Sequence, residues 1–336
     1  MSDAASEDPT EPEQQFDTLL DRRELRQDII TALDELGTGR STEGLIVEGL
    51  RESGRSIVLW WAREQAITRR WLTASLTVRG PDTAALWATA ADLAEELRRL
   101  RPGALAVRAL HETLAQPPTE LVPAARAFAR LISDAAEECR TTALVTVDDA
   151  DRWGAASGAA LGQLFGPARR SLPLLVIASH LPGVAVPGEP VRHQLGPLSV
   201  EDLTAEVWPG FDDAALRRLR ESSGGWPSVI KALLAEPPEN WAIEAHDYFE
   251  QLTALLAPGE RRYLEAVVSL GAGAVPIGLV AKALGDSTRF NNESSTLSGI
   301  RLSLQDKGLL YAPEEGHVDL ALAGYREHLG QTRDRR

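Results

Sequence analysis

The sequence is poor in the residues on which several classes of protein depend. Cys139 is its one cysteine among 336 residues, so no disulfide can form within the chain, and a reducing cytoplasm is the expected setting. Lys and Arg number 35 against 49 Asp and Glu, a formal net charge of −14 that disfavours a general binder of nucleic acid or anionic membrane. No apolar run approaches the ~20 residues of a membrane-spanning helix, so we expect no membrane partner.

The N-terminal segment has neither the basic nor the apolar region of a signal peptide. Residues 1–15 instead carry five acidic residues, two prolines and no basic residue. Such a composition cannot bury enough apolar surface to offset the entropy of ordering. We therefore expect residues 1–15 to form a disordered acidic tail.

The order of apolar segments predicts three folded parts. Strand-like and helical segments alternate over residues 16–198, which is typical of parallel βαβ units covered by helices. Residues 199–250 are helical and predict a lid with a linker, and residues 251–330 contain three helices followed by two apolar strands around "PEEGH". Helix-helix-helix-hairpin is the order of a winged helix, so we predict an α/β core with a parallel sheet, a helical lid and a winged-helix domain.

The stretch "GLRESGRS", Gly49–Ser56, has the frame of a phosphate-binding P-loop, G-x-x-x-x-G-K-[ST]. It lies between the buried strand "GLIVE" and a helix, where backbone N–H groups and the helix dipole attract an anion. Gly49, Ser53 and Gly54 would wrap around phosphate oxygens, and Ser56 would supply a hydroxyl for Mg²⁺. Arg55 replaces the usual lysine, which keeps the charge and changes its geometry. The alternative is a chance match on an ordinary strand–loop–helix.

The run "ALVTVDDAD" has the form of a Walker B strand. In that motif the first acid, Asp148, holds Mg²⁺ and the second, Asp149, activates the attacking water. Glutamate is usual at the second position, and aspartate is shorter by one methylene, so a base at Asp149 could miss the water. A strand end with acidic turn residues is the alternative, although two such motifs that each close a buried strand make coincidence a poor explanation.

Two weaker candidates follow along the chain. Ser179 ends the strand "LPLLVIAS", where a polar side chain could sense the γ-phosphate. Neighbouring His180 could do the same, although an exposed loop histidine is the favoured interpretation. Trp226 and Pro227 begin a helix of the predicted lid after two glycines, and proline is well tolerated at that position without any functional role.

Over residues 16–330 these elements, in this order, resemble the AAA+/STAND group of P-loop ATPases, above all bacterial ATPases related to the archaeal and origin-recognition ATPases. "LLDRREL" is similar to the segment that lines the family's adenine pocket, with Arg22 retained and Asp21 where glycine is usual. "LPLLVIASHLPG" falls at the sensor 1 strand and "LGPLSVEDL" at the turn into the lid. "GGWPSVI" is similar to the STAND G-x-P motif, whose proline approaches the nucleotide.

The resemblance implies ATP and Mg²⁺ as cofactors, with Arg22, Trp226 and Pro227 close to the nucleotide. The departures at Asp21, Arg55 and Asp149 all fall on the nucleotide site, so hydrolysis is the property they weaken most. Arg169 and Arg170 are the candidates for an arginine finger.

The third helix of a winged helix normally enters the DNA major groove. Here that helix lies in "NESSTLSGIRLSLQDKG", and residues 251–336 carry ten basic and ten acidic residues. A formally neutral domain is poorly suited to neutralise phosphates. Docking against protein, or against its own ATPase core, is therefore favoured over DNA contact.

Three functions remain open. The protein could be a slow ATPase that works as a nucleotide-dependent switch or assembly subunit, with an unknown protein partner or self-association. It could be a nucleotide-free scaffold that keeps only the shape of an ATPase. It could also be a DNA-binding regulator acting through its winged helix, which the net charge disfavours.

Overall fold

The computed structural model describes residues 22–40, 42–50, 53–100, 105–165, 173–182, 184–188, 190–199, 202–203, 210–285, 294–313 and 316–334. The chain divides into two compact units. The first, here called the core unit, comprises Arg22–Gly49 and Arg55–Leu195, and the second, the C-terminal unit, comprises Leu50–Gly54 and Gly196–Arg336. The predicted acidic tail, residues 1–15, lies outside the described residues.

A five-stranded parallel sheet forms the centre of the core unit, in the order β2-β3-β4-β1-β5. Its strands are β1 (Leu45–Gly49), β2 (Leu72–Thr77), β3 (Ala143–Asp148), β4 (Leu174–His180) and β5 (Val191–Leu195). Because all strands run the same way, their carboxyl ends meet at one edge of the sheet, the usual place for a ligand in such folds. Strand β4 lies between the P-loop strand β1 and the Walker B strand β3, so Ser179 is brought between the two motifs.

Helices cover both faces of this sheet. They are α1 (Arg23–Gly37), α2 (Arg55–Thr68), α3 (Ala84–Leu100), α4 (Leu105–Ala115), α5 (Leu121–Cys139) and α6 (Ser157–Phe165), with a 3-10 segment at Ala150–Ala156. Alternate strand residues such as Ile46, Val145 and Val176 join one hydrophobic cluster with α3–α6. Their neighbours along the strands point the other way, where α1 and α2 pack. Burial on both faces explains why the central strands are continuous apolar runs.

In the described residues of the C-terminal unit from 210 onwards, the first helices are α7 (Asp213–Ser223), α8 (Pro227–Leu234) and α9 (Trp241–Ala254), which pack on one another. Helix α7 starts at Asp212, whose carboxylate accepts a hydrogen bond from the Ala215 N–H at 2.7 Å. It ends at Gly224, which has the left-handed φ of 63° that favours glycine. Pro227 is the first residue of α8, a position where its missing N–H costs nothing.

The remaining described residues of the C-terminal unit form four helices and a small antiparallel sheet of order β6-β8-β7. Its elements are α10 (Pro258–Ser269), β6 (Val275–Pro276), α11 (Ile277–Gly285), α12 (Ser294–Asp306), β7 (Leu310–Tyr311), β8 (His317–Leu320) and α13 (Ala323–Asp334). The predicted order of three helices and a hairpin is present. The identification as a winged helix stays a prediction.

The predicted fold class is confirmed for the core, a three-layer α/β arrangement around a parallel sheet. The domain boundaries stay predictions, and the boundary between the two compact units falls at Leu195–Gly196, close to the predicted 198–199. Strand β5 and helix α13 were not predicted from the sequence. In β5 only Leu195 is buried, so the strand lacks the apolar run that reveals β1, β3 and β4.

No helix within the described ranges has both the length and the apolar character required to cross a bilayer.

Candidate nucleotide site

Ser56, Asp148 and Ser179 meet at the carboxyl edge of the core sheet. The Ser56 hydroxyl donates to Asp148 Oδ2 at 2.6 Å, and the Ser179 hydroxyl donates to Asp148 Oδ1 at 2.5 Å. Asp148 ends β3, Ser179 lies near the end of β4, and Ser56 is in the first turn of α2. The last residue of the P-loop frame and the first Walker B acid are therefore direct neighbours, although 92 residues separate them in sequence.

Arg55 does not extend into solvent but is 5% exposed and paired with acids of the Walker B segment. Its Nη2 lies 2.6 Å from Asp149 Oδ1, and its Nη1 lies 3.4 Å from Asp151 Oδ1. A planar guanidinium can hold two carboxylates at once, which a lysine ammonium cannot do in the same fixed geometry. The residue that departs from the P-loop pattern therefore ties α2 to the segment after β3.

Asp149 is engaged by two cations. Besides Arg55 at Oδ1, it accepts a hydrogen bond at Oδ2 from Arg152 Nε at 3.1 Å. Its backbone has a left-handed φ of 54°, which an aspartate tolerates better than most residues. Its own N–H donates to Asp148 Oδ1 at 3.0 Å and to the Ser179 hydroxyl at 3.1 Å. The left-handed backbone at Asp149 thus directs its carboxylate towards Arg55 and Arg152.

Among the described residues at this edge of the sheet, acidic groups outnumber basic ones. Asp148, Asp149 and Asp151 supply three carboxylates, whereas Arg55 and Arg152 supply two guanidinium groups. Those two cations pair with Asp149 and Asp151. Within the part of the chain that the structure describes, Asp148 has no ion pair, and its carboxylate is held by hydroxyl and N–H groups alone.

The residues around Asp148 fit a magnesium ion. Mg²⁺ is bound in proteins by carboxylate and hydroxyl oxygens together with water and phosphate oxygens. Asp148 and Ser56 offer that donor set, and the local excess of negative charge favours a cation. Arg55 fits a bound phosphate less well, because its side chain is 4% exposed and both ends of its guanidinium face carboxylates.

The two glycines of the P-loop frame occupy different places. Gly49 is the last residue of β1 and is paired with Leu195 of β5. Gly54 has φ +90°, a conformation that only glycine adopts readily, and it lies near the start of helix α8. A Cβ at Gly54 would lie 3.6 Å from Pro227 Cγ, and both residues belong to the C-terminal unit. The turn at Gly54 and the Pro of the G-x-P motif are therefore neighbours.

The remaining candidates for the nucleotide site differ in exposure. Trp226 is 2% exposed and Ser53 is fully buried, both in the C-terminal unit. Arg22 is half-buried and precedes α1, where its carbonyl oxygen accepts the Arg26 N–H at 2.9 Å. Their roles stay predictions, and so does the arginine finger, because Arg169 and Arg170 lie outside the described residues, as does Asp21.

His180 is part of the core and is fully buried at the end of β4. Its Nδ1 lies 2.6 Å from the Leu181 carbonyl oxygen, and its Nε2 lies 3.9 Å from Glu48 Oε1. Burial lowers the pKa of His180, although the Leu181 carbonyl and Glu48 act in the opposite direction. The prediction of an exposed loop histidine is therefore wrong, because the imidazole of His180 is enclosed at the end of a core strand. A role for His180 at the γ-phosphate stays a prediction.

Sequence reasoning missed Asp151 and Arg152. Asp151 contacts Arg55 and also accepts the Leu181 N–H at 3.1 Å, so it connects the Walker B segment with the end of β4. Both residues lie in the 3-10 segment directly after the Walker B strand, in "DDADRW". Their position two and three residues after Asp149 was the only sequence signal that they could belong to the site.

Comparison with known proteins supports the fold. Residues 247–329 match a family model described as a domain of unknown function, DUF8462. None of the curated proteins matches the chain. The structure of the Walker-type ATPase PABY2304 of Pyrococcus abyssi is similar with a TM-score of 0.57 at 15% identity, covering 92% of this chain and 95% of that one.

Two further likenesses are weaker. The ORC2 protein of Aeropyrum pernix, solved in ADPNP–ADP complexes, has a TM-score of 0.47 at 10% identity and covers 94% of this chain and 95% of its own. A STAND protein of Pyrococcus horikoshii with a tetratricopeptide repeat sensor has a TM-score of 0.36 at 15% identity, covering 89% of this chain and 42% of its own. Only the likeness to PABY2304 has a TM-score high enough to support the fold.

In the parallel sheet, β1 leads into the P-loop, β3 carries the Walker B acids, and Ser179 lies near the end of β4 between them. This arrangement agrees with the resemblance stated from the sequence. That resemblance is confirmed at the level of architecture. The chain has the fold of the Walker-type P-loop ATPases.

Proposed function

We propose that the protein binds ATP with Mg²⁺ and acts as a nucleotide-dependent switch or assembly subunit with weak or absent hydrolysis. The observation that carries this proposal is the pair of hydrogen bonds from Ser56 and Ser179 to Asp148, at 2.6 and 2.5 Å. They keep a magnesium donor set assembled where a P-loop ATPase needs it, while the neighbouring residues are committed to ion pairs with one another.

The residues take the following roles in this proposal. Ser56 and Asp148 hold Mg²⁺, and Ser179 orients the Asp148 carboxylate. Bound Mg²⁺ supplies positive charge to the terminal phosphates. The backbone of Gly49, Ser53 and Gly54 surrounds the phosphates, and Arg22, Trp226 and Pro227 contribute on the nucleotide side, as the family resemblance implies.

Hydrolysis is weak because both oxygens of Asp149 are engaged. A general base must come within hydrogen-bond reach of the attacking water. Asp149 Oδ1 pairs with Arg55 at 2.6 Å and Oδ2 with Arg152 at 3.1 Å, so neither oxygen is open to the attacking water. Asp149 could accept a proton only after Arg55 exchanged its carboxylate partners for a phosphate.

That exchange of partners offers a switch. A phosphate at the P-loop would compete with Asp149 and Asp151 for the Arg55 guanidinium, since Arg pairs with phosphates and carboxylates alike. Binding would then loosen α2 from the 3-10 segment, which is attached to β4 through Asp151 and Leu181. The nucleotide state would thereby be passed to the segment that follows the Walker B strand.

A nucleotide-free scaffold is the second candidate, and the burial of Arg55 favours it. At 5% exposure with two carboxylate partners, Arg55 fills the P-loop's cationic position with a purely structural group. In that case the C-terminal unit would carry the function by contact with a protein partner or, less readily, with DNA.

Calorimetry separates these candidates. We expect ATP·Mg²⁺ and ADP to bind the wild-type chain, and Asp148→Ala to lose most of the Mg²⁺-dependent part of the affinity. Asp92→Ala is the matched control, since it removes an exposed acid of the core unit on α3. No binding by the wild type would exclude the switch and leave the scaffold.

A turnover assay on Arg55→Lys tests whether the arginine limits catalysis. Lysine keeps the charge but cannot hold Asp149 and Asp151 together, so Asp149 is released for proton transfer. We expect phosphate release to be slow or undetectable in the wild type and faster in Arg55→Lys. Equal turnover in both proteins would show that the Arg55–Asp149 pair does not limit hydrolysis.

A further inference from the structure

A second cluster of ligand-type side chains lies in the C-terminal unit. His246 and Glu250 are four residues apart on α9, so both project from one face of that helix. His328 is on α13. One ligand atom from each of the three residues lies within 4.8 Å of the other two.

Two of the three ligand atoms already lie at a distance suited to a shared metal ion. His328 Nε2 lies 3.2 Å from Glu250 Oε1, and the His246 and His328 rings have centroids 4.8 Å apart. A tetrahedral zinc site with bonds of about 2.0–2.1 Å separates its ligand atoms by roughly 3.4 Å. The His328–Glu250 distance meets that requirement. His246 and Glu250 are exposed, so rotation of their side chains can complete it.

The protein fixes His328 in position. This residue is 5% exposed and stacks on Tyr325 at 6.1 Å and 14°, with Phe249 of α9 at 5.8 Å on another side. The Tyr325 hydroxyl is in turn 2.9 Å from Thr253 Oγ1. One buried imidazole, fixed by its ring neighbours, and two exposed side chains form a site that is partly preorganised and open to an ion from solvent.

We propose that His246, Glu250 and His328 bind a divalent transition-metal ion, with Zn²⁺ as the preferred ion. Two imidazole nitrogens and one carboxylate oxygen are a zinc donor set, and a fourth position would be left for water or for a ligand from a partner. The site joins α9, which packs on the lid helices α7 and α8, to α13 at the end of the fold. A bound ion would act as a removable clamp between these helices.

The clamp is independent of the nucleotide proposal. No residue of the Asp148 cluster takes part in it, and its three ligands belong to the C-terminal unit alone. Zinc binding can therefore fail while ATP binding succeeds, and the reverse.

The test is a competition titration of the full chain, without an affinity tag, against a chromophoric zinc chelator. We expect one Zn²⁺ per chain in the wild type. We expect His246→Asn and Glu250→Gln each to weaken binding by more than the about 10–100-fold that loss of an outer-shell partner costs. His246 is exposed, so its variant should fold normally. The matched control is His111→Asn, which removes an exposed histidine of α4.

Two further measurements report on geometry and on the clamp. Co²⁺ in place of Zn²⁺ should give the intense visible absorption of a four-coordinate site in the wild type and lose it in His246→Asn. Zn²⁺ should also slow amide hydrogen exchange in α9 and α13 of the wild type and leave His246→Asn unchanged. Zinc affinity that is the same in the wild type, His246→Asn and Glu250→Gln would overturn the proposal, leaving the His328–Glu250 contact as an ordinary polar contact.

Discussion

Arg55 Nη2 lies 2.6 Å from Asp149 Oδ1, so the residue that replaces the P-loop lysine holds the residue that replaces the Walker B glutamate. The two departures from the ATPase pattern are one interaction. Glutamate at 149 would carry its carboxylate further from the backbone, and lysine at 55 would lack the fork that reaches both Asp149 and Asp151. Arginine at 55 and aspartate at 149 therefore fit each other in length and geometry.

Removing the guanidinium should destabilise the core unit. Arg55→Met leaves Asp149 and Asp151 without their shared partner, and breaking a buried pair costs about 3–5 kcal/mol. We expect the lower end of that range, because the Asp149 side chain is 23% exposed and keeps Arg152. Urea unfolding measures the change, and Arg55→Met/Asp149→Asn should recover part of the loss. Simple additivity of the two substitutions would contradict a direct coupling.

Ser179→Ala should weaken both stability and Mg²⁺-dependent nucleotide binding. The substitution removes a fully buried hydroxyl that donates to Asp148 Oδ1 at 2.5 Å, and a hydrogen bond to a charged group contributes about 1.5–3 kcal/mol. Urea unfolding and calorimetry report the two effects. Ser157→Ala is the matched control, since Ser157 is also a buried serine of the core unit but donates to the Gly154 carbonyl oxygen. A loss of binding as large in Ser157→Ala would mean that the effect is not specific to Asp148.

Glu260 should make the C-terminal unit sensitive to acid. Burial alone would raise the pKa of Glu260, but hydrogen bonds from Lys307, Ser303 and the Ala257 N–H outweigh it and lower the pKa below 4.5. A depressed pKa means that the unfolded state binds the proton first. The stabilisation is therefore complete above about pH 5 and is lost as the pH falls through the folded-state pKa.

The free energy of unfolding, measured by urea between pH 3 and 7, tests this dependence. In Glu260→Gln we expect a loss of about 2 kcal/mol at pH 7 and a weaker fall in stability towards pH 3. Glu265→Gln is the control, because Glu265 lies on the same helix with a single partner, Arg261, and a side chain that is 32% exposed. An identical pH profile for the wild type and Glu260→Gln would rule out this carboxylate as the source.

Gly225→Ala should disrupt the turn before α8. Gly225 has φ +79°, and a Cβ there would lie 2.3 Å from the Leu198 carbonyl oxygen and 2.7 Å from Arg220 Nε. The left-handed conformation alone costs about 1–2 kcal/mol for a residue with a side chain. Gly278→Ala serves as control, since nothing lies within 4 Å and alanine favours its helix, α11. Thermal unfolding should show a lower midpoint for Gly225→Ala only, and equal midpoints would refute the close approach.

Most of the core fold could be predicted because its signals are local. The strands β1, β3 and β4 contain apolar runs that are followed by Gly49, Asp148 and Ser179. The Asp148–Ser56 contact follows from two motifs that each close a buried strand. Strand β5 could not be predicted, because four of its five residues face at least partly outwards and only its pairing with β1 makes it a strand.

The direction of the Arg55 side chain was also beyond the sequence. The P-loop motif predicts that the cation contacts a phosphate, whereas the anions that Arg55 contacts in the fold are Asp149 and Asp151. The positions of these two acids depend on the left-handed backbone at Asp149 and on the 3-10 segment after it. The His246–Glu250–His328 cluster needs the packing of α9 against α13, and α13 itself was not predicted. Long-range packing of this kind leaves no trace in local periodicity.

Strand β5 has one more consequence. It forms the outer edge of the parallel sheet, where unpaired backbone groups invite another chain to add a strand. Its outward residues include Arg192, which pairs with Glu48, and His193, whose Nε2 lies 3.2 Å from Asp28 Oδ2. A neighbouring molecule that added a strand here would have to dehydrate or displace these polar groups. The polar residues that kept β5 from being predicted therefore also protect the sheet against edge-to-edge aggregation.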